Sequence, residues 1–149
     1  AYEALIGAEL QAIHVPEAYG GAGADALASA IVVEEVARAC ASSSLIPGVN
    51  KLASLPVIHS GSEELKKEFL PGLASGATLW SYALSETDAG SDAGAMKTTA
   101  VANGDSWTLN GSKKWITNAG ESHIYTVLAV TDKEKGARGG ITAFIVKKC

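Results

Sequence analysis

Apolar residues recur at helical spacing through the first half of the chain and at strand spacing through the second. Leu5, Ile6, Leu10 and Ile13 share one face of a 3.6-residue period and predict a helix over 2–13. The His14-Val15-Pro16 run ends it, because the residue before a proline is pushed out of helical geometry. After the loop Tyr19-Gly20-Gly21-Ala22-Gly23, Asp25 is the expected N-cap of a second helix. Leu27, Ile31, Val32, Val36, Ala39 and Cys40 form its apolar stripe, and Ser42 to Ser44 break the pattern. A third helix is predicted over 45–58 with Pro47 in its first turn. A short fourth spans 63–70, capped by Ser62, with Glu63 and Glu64 at its start and Lys66 and Lys67 later, as the helix dipole favours. Pro71 and Gly72 should stop it.

From Thr78 the period drops to two. Trp80, Tyr82 and Leu84 alternate with Ser81, Ala83 and Ser85 before the chain enters a polar loop holding Gly90, Ser91 and Gly94. Strands are predicted over 97–102, 106–109, 113–117, 124–130 and 141–146. Asn103-Gly104 and Asn110-Gly111 separate the second to fourth strands, and Asn-Gly is a strong hairpin signal. Helices first and strands second indicate an α+β fold by segregated domains rather than alternating α/β. The expected architecture is a partial N-terminal helical bundle, residues 1–77, followed by an antiparallel β-barrel-like domain, residues 78–149.

Composition adds limits. The 149 residues are 47% hydrophobic and 19% charged, as in an ordinary globular chain, and the net charge of −4 disfavours nucleic acid as a partner. No apolar run is long enough to span a bilayer, since Glu34 and Glu35 stop the ALASAIVV segment. Cys40 and Cys149 have no metal-ligand spacing and imply no disulfide framework, which favours a reducing setting. The chain begins without Met, in mid-helix by its pattern, and ends directly after an apolar strand, so it is expected to be a piece of a longer protein.

Candidate chemistry is sparse. His14, His59 and His123 are not spaced as metal ligands, and structural or surface places are their ordinary reading. Glu86, Asp88 and Asp92 lack the spacing and distal Glu of a calcium loop, and acids sit naturally in turns. No metal site is expected. The loop at Gly90 can be a plain connector or a phosphate cradle, because a strand that stops at glycine brings bare N–H groups up to whatever lies beyond. Trp115 can be core or the wall of a cofactor site.

Four segments carry a resemblance. HVPEAYGG at 14–21, EEVARACASSS at 34–44, YALSETDAGSD at 82–92 and LNGSKKWITNAG at 109–120 resemble, in order and spacing, the acyl-CoA dehydrogenase family. The likeness runs over essentially the whole chain and implies FAD as cofactor. It implies parts of an N-terminal helical and a middle β domain, with the family's C-terminal helical domain absent. It places Tyr82, Ala83, Leu84, Ser85, Glu86, Thr87, Asp88, Ala89, Gly90 and Ser91 along the flavin. Ser85 bonds the ring, and Ser91 touches both FAD and the acyl-CoA. Trp115, Ile116 and Thr117 cover the other side, with the Thr117 hydroxyl near flavin N5 and Trp115 at the ring edge where electrons leave. Thr87 and Asp88 depart from the family's frequent Pro and Gly, and Asp88 should point away from a pyrophosphate.

The reaction implied is α,β-dehydrogenation of an acyl-CoA to the trans-2-enoyl-CoA. A glutamate base takes the α-proton and the β-hydrogen leaves as hydride to the flavin, with electrons passed on to an electron-transfer flavoprotein. Glu86 has a structural place, and the base belongs to the absent domain, so the chain alone is expected to be inactive. The family implies a homotetramer in the bacterial cytoplasm, or in the mitochondrial matrix of a eukaryote. Alternatives are an acyl-CoA or nitroalkane oxidase-like flavoenzyme and a non-catalytic nucleotide-binding β module.

Overall fold

The computed structural model describes residues 1–148; Cys149 lies outside the described residues. Four helices precede five strands: α1 (Tyr2–Gly7), α2 (Ala26–Ala39), α3 (Ala41–Ser60), α4 (Glu63–Ala74), β1 (Trp80–Ala83), β2 (Thr99–Asn103), β3 (Ser106–Asn110), β4 (Ile124–Val130) and β5 (Ile141–Lys147). The segregated α-then-β order stands. No helix is long and apolar enough to cross a membrane among the described residues.

Helix starts follow local chemistry. The Asp25 carboxylate accepts from Ala28 N at 2.8 Å and caps α2, and Ser62 Oγ accepts from Leu65 N at 3.4 Å at the head of α4. Helix ends depart from expectation. α1 stops at Gly7 rather than running to Ile13, because Glu9 turns left-handed (φ 57°). Glu9 N then donates to Ile6 O and Leu10 N to Leu5 O, the two bonds of a Schellman closure. The break between α2 and α3 falls at Cys40, whose backbone is extended, not at Ser42–Ser44. α3 accordingly begins earlier than expected and places Pro47 beyond its first turn. It also holds Pro56, and α4 continues through Pro71 to Ala74. A proline inside a helix removes one backbone bond. Here packing outweighs that loss: Pro47 is buried, and Leu70 and Leu73 flank Pro71 with no exposure. The apolar stripe of α2 is a further departure, since Leu27 and Ile31 face outward, 68% and 51% exposed.

The sheet is mixed rather than wholly antiparallel. β4 is its centre, antiparallel to β5 from Ile124↔Lys147 to Val130↔Ile141 and parallel to β1 from Trp80↔Ile124 to Ala83↔Val127. On the β1 side it also meets β2 in parallel at Thr99↔Val130. Two parallel neighbours need a long connection, and the chain between β1 and β4 supplies it with the β2–β3 hairpin. That hairpin pairs Asn103 with Ser106, so its turn is Gly104-Asp105, one residue later than the Asn-Gly signal centres it. Gly104 alone of the two has positive φ (61°), as a turn with glycine at its first central position requires. The hairpin curls until Trp107 of β3 lies 5.4 Å from Phe144 of β5. Residues 113–117 form no strand.

One core joins helices to sheet: Ala12, Val15, Ala53, Val57, Phe69, Leu70, Leu73, Trp80 and Ile124. Polar ties cross the same boundary. Thr126 Oγ1 donates to Ala53 O at 2.6 Å, and Asn50 links Gln11 O to Trp80 N. His14 Nε2 lies 2.8 Å from Ser54 Oγ, whose own proton goes to Asn50 O, so the imidazole donates here. Burial first, and the Lys51 charge second, lower the His14 pKa to about 4. The unfolded chain, at about 6.5, therefore binds the extra proton between these values. Stability is full above about pH 6.5 and falls as the pH drops toward 4, by at most about 3 kcal/mol. The urea midpoint of the wild type should drop over that window more than that of His14→Gln; parallel curves would refute the assignment.

Candidate functional site

β1 leaves the sheet at Ala83 and runs into the loop 84–91. Tyr82 is half-buried against the core, with its phenol pKa raised by burial, and Ala83 and Ala89 are buried. Leu84, Ser85 and Glu86 are half-buried, while Thr87, Asp88, Gly90 and Ser91 are exposed. Segment 113–117 lies beside this loop despite being some thirty residues later. Lys114 N donates to Ser85 O at 2.8 Å, Lys113 Nζ donates to Leu84 O at 3.0 Å, and Ser81 Oγ donates to Thr117 O at 2.7 Å. The structure thus brings Ser85 and Thr117 into neighbouring strips of chain.

Ser81 also meets Ser122 Oγ at 2.7 Å, both residues fully buried, and Asn118 Nδ2 donates to Trp80 O at 3.4 Å. Side-chain and backbone bonds, rather than a β ladder, therefore hold 113–122 against β1. That is why the alternation of Lys113, Trp115 and Thr117 makes no strand.

The loop's polar groups are only partly paired. Three of its carbonyls are taken: Leu84 O by Lys113, Ser85 O by Lys114 N, and Ala89 O by Glu86 N at 2.7 Å. The Glu86 carboxylate accepts from Lys97 N at 2.6 Å, Thr98 N at 3.0 Å and Lys113 Nζ at 2.8 Å. Most of its backbone donors are free. Among the described residues no protein acceptor takes the backbone N–H of Ser85, Thr87, Gly90 or Ser91, nor that of Trp115 or Thr117. The hydroxyls of Ser85, Thr87, Ser91 and Thr117 likewise take no protein partner among the described residues. A methyl placed on Gly90 would touch nothing within 4 Å, so bare backbone borders open space there.

Trp115 is not core. Its indole is 84% exposed, on backbone with φ 59°, and Lys114 Nζ lies 5.2 Å from its ring centroid. Left-handed geometry is costly for a bulky residue, of order 1–3 kcal/mol, and such outliers cluster at functional sites. Asp88 pairs with Lys97 at 2.6 Å on the surface, turned from the loop's free donors toward the start of β2.

Burial alone would push the Glu86 carboxyl up. The Lys113 ammonium and the N–H groups of Lys97 and Thr98 more than offset this and hold it down at about 2. Such a carboxylate is a poor proton acceptor near neutrality. Lys113 and Glu86 went unnoticed as partners in the sequence because no period connects residues 27 apart. The one signal was a lysine immediately inside the segment that precedes the tryptophan. A hollow of about 610 Å³ lies elsewhere, between the hairpin and β5, lined by Thr98, Trp107, Leu109, Lys113 and Phe144. It includes none of the candidate cofactor residues.

The chain as a whole is similar to known proteins. The family model for the acyl-CoA dehydrogenase N-terminal domain matches residues 1–77, and that for the middle domain matches residues 81–149. A probable acyl-CoA dehydrogenase, fadE25, of Mycobacterium leprae is 61% identical over 99% of this chain. The structure of butyryl-CoA dehydrogenase from Megasphaera elsdenii superposes with a TM-score of 0.89 at 38% identity, covering 99% of this chain. That of an acyl-CoA dehydrogenase complexed with FAD from Bacillus anthracis does so with a TM-score of 0.85 at 39% identity, again over 99% of this chain. The chain spans 38% of the length of the first, 39% of the second and 25% of the third.

Proposed function

The chain belongs to the acyl-CoA dehydrogenase family, whose members are FAD-dependent, and from that membership we propose that it supplies the flavin-facing part of an enzyme that converts an acyl-CoA thioester to its trans-2-enoyl-CoA. The observation that carries this reading is the loop 84–91, in which the N–H groups of Ser85, Thr87, Gly90 and Ser91 are free while the Leu84, Ser85 and Ala89 carbonyls are occupied, fastened beside an exposed, strained Trp115. A cofactor with ring carbonyls and phosphate oxygens satisfies those donors, and a flat partner removes the indole from water. The residues present therefore fit FAD. Tyr82 through Ser91 would hold it along one strip and Trp115, Ile116 and Thr117 along the other, with residues 1–77 and 78–149 acting as partial helical and β domains.

FAD supplies the electron acceptor for the dehydrogenation. The chain's own groups bind and orient it. Ser85 and the free N–H groups donate to the ring, Ser91 bonds both cofactor and acyl-CoA, and Thr117 donates from the second strip. Glu86, bound by three donors, is not the base; the α-proton goes to a carboxylate of the complete protein outside these residues. Electrons pass to an electron-transfer flavoprotein, and the complete protein is a homotetramer in the cytoplasm, or in the mitochondrial matrix if its source is eukaryotic.

The test is spectroscopic. The complete protein should carry visible flavin bands, and acyl-CoA should bleach them. Thr117→Val should slow that bleaching by about tenfold or more while acyl-CoA binding changes less, as loss of one donor at a reacting centre does. A colourless protein would leave only a nucleotide-binding module, and rapid peroxide formation would favour an oxidase.

A further inference from the structure

Lys113 and Glu86 form the most enclosed ion pair among the described residues, with side chains 11% and 7% exposed and Nζ 2.8 Å from Oε1. In every other pair at least one partner is more than half exposed. The enclosed pair lies where three strips of chain meet. Lys113 begins the segment that carries Trp115 and Thr117, and its ammonium also takes Leu84 O at the exit of β1. Glu86 sits in the loop and grips the backbone N–H groups of Lys97 and Thr98 just ahead of β2. No other side chain in the site ties all three strips together.

We propose that Lys113 and Glu86 are positioning residues for the flavin: the pair fixes the separation of the two strips that hold it and keeps the Leu84 carbonyl and the Glu86 carboxylate turned inward. This rests on the flavin reading above. Without Lys113, Leu84 O and a buried carboxylate lose their cationic partner. The loop can then turn, and a negative charge and a free carbonyl face the ring's own carbonyl oxygens. An exposed ion pair, by contrast, contributes little to geometry.

The experiment compares the complete flavoprotein with Lys113→Met, Lys113→Arg and Glu86→Gln, using Lys147→Met, from the exposed Lys147–Glu68 pair, as the control. Three quantities are read: the FAD dissociation constant of the apoprotein, the visible circular dichroism of bound flavin, and the melting temperature of the apoprotein. Lys113→Met should weaken FAD at least tenfold and change the flavin dichroism. Lys113→Arg, which can reach both oxygens, should restore both to near the wild-type values, and the control should change neither. If Lys113→Met does not fold, Glu86→Gln decides, with weaker FAD and altered dichroism expected. A variant that melts lower yet binds FAD within twofold, with an unaltered flavin spectrum, makes the pair merely structural and overturns the inference. A wild type that takes up no flavin overturns the functional reading itself, and this inference with it.

Discussion

Trp80→Ala will lower the unfolding free energy by about 3–5 kcal/mol, the range for deleting a large aromatic from a close-packed core. Trp80 is fully buried and is the first residue of β1. Its ring meets Phe69 of α4 edge to face, with centroids 6.2 Å apart at 87°, an arrangement that adds about 0.5–1.5 kcal/mol beyond burial. Its Nε1 donates to Thr78 Oγ1 at 3.1 Å. Because Val15, Phe69, Leu70, Leu73 and Ile124 share this cluster, the cavity would open between helices and sheet rather than within either. A domain of this size is stabilised by only about 5–15 kcal/mol, so the loss should be plain as a fall of roughly 10 °C in Tm. Trp80→Phe keeps a ring and should lose less than half as much. A Trp80→Ala loss under 1 kcal/mol would mean that the core is not shared in this way.

What could be read in the sequence was local. The Asp25 and Ser62 caps lie where expected because a cap is set by one side chain and the N–H three residues on. The hairpin was legible through Asn103-Gly104, although the turn forms one residue later because Asn103 pairs with Ser106. The helical prolines misled, because their cost is local while the packing that outweighs it, at Pro47 and around Pro71, is not. The stripe of α2 has the right period, but a period gives a face and not its partner, so Leu27 and Ile31 are exposed in this chain. The parallel pairing of β1 with β4 escaped notice because strands 40 residues apart leave no turn signal. At the candidate site, the motifs singled out both segments through resemblance. That Ser85 O would meet Lys114 N, or that Trp115 would stand out from the surface, is a tertiary outcome with no periodic trace.

Asn50 should be nearly as critical as Trp80, for a polar reason. It is fully buried in α3, donates through Nδ2 to Gln11 O at 3.0 Å, and accepts at Oδ1 from Trp80 N at 3.1 Å. One amide thus satisfies the segment after α1 and the free edge at the start of β1, the strand that feeds the loop 84–91. Asn50→Leu keeps the volume but orphans a buried carbonyl and a buried N–H. At about 1–3 kcal/mol for each orphan, the expected loss is about 2–5 kcal/mol. Asn50→Asp is the sharper probe. Its carboxyl can still accept from Trp80 N, but when ionised it sets a buried negative charge against Gln11 O. Both effects raise its folded-state pKa above the unfolded value of about 3.9. A group raised in the folded state adds stability below the unfolded pKa and loses it as the pH rises through the folded one. Relative to wild type, Asn50→Asp should therefore be least stable at pH 7 and recover toward pH 4, opposite to the trend set by His14. Urea midpoints at pH 7, 5.5 and 4 measure this, and a deficit that does not shrink on acidification would show that water reaches Asn50 and that its two bonds are not what anchors β1.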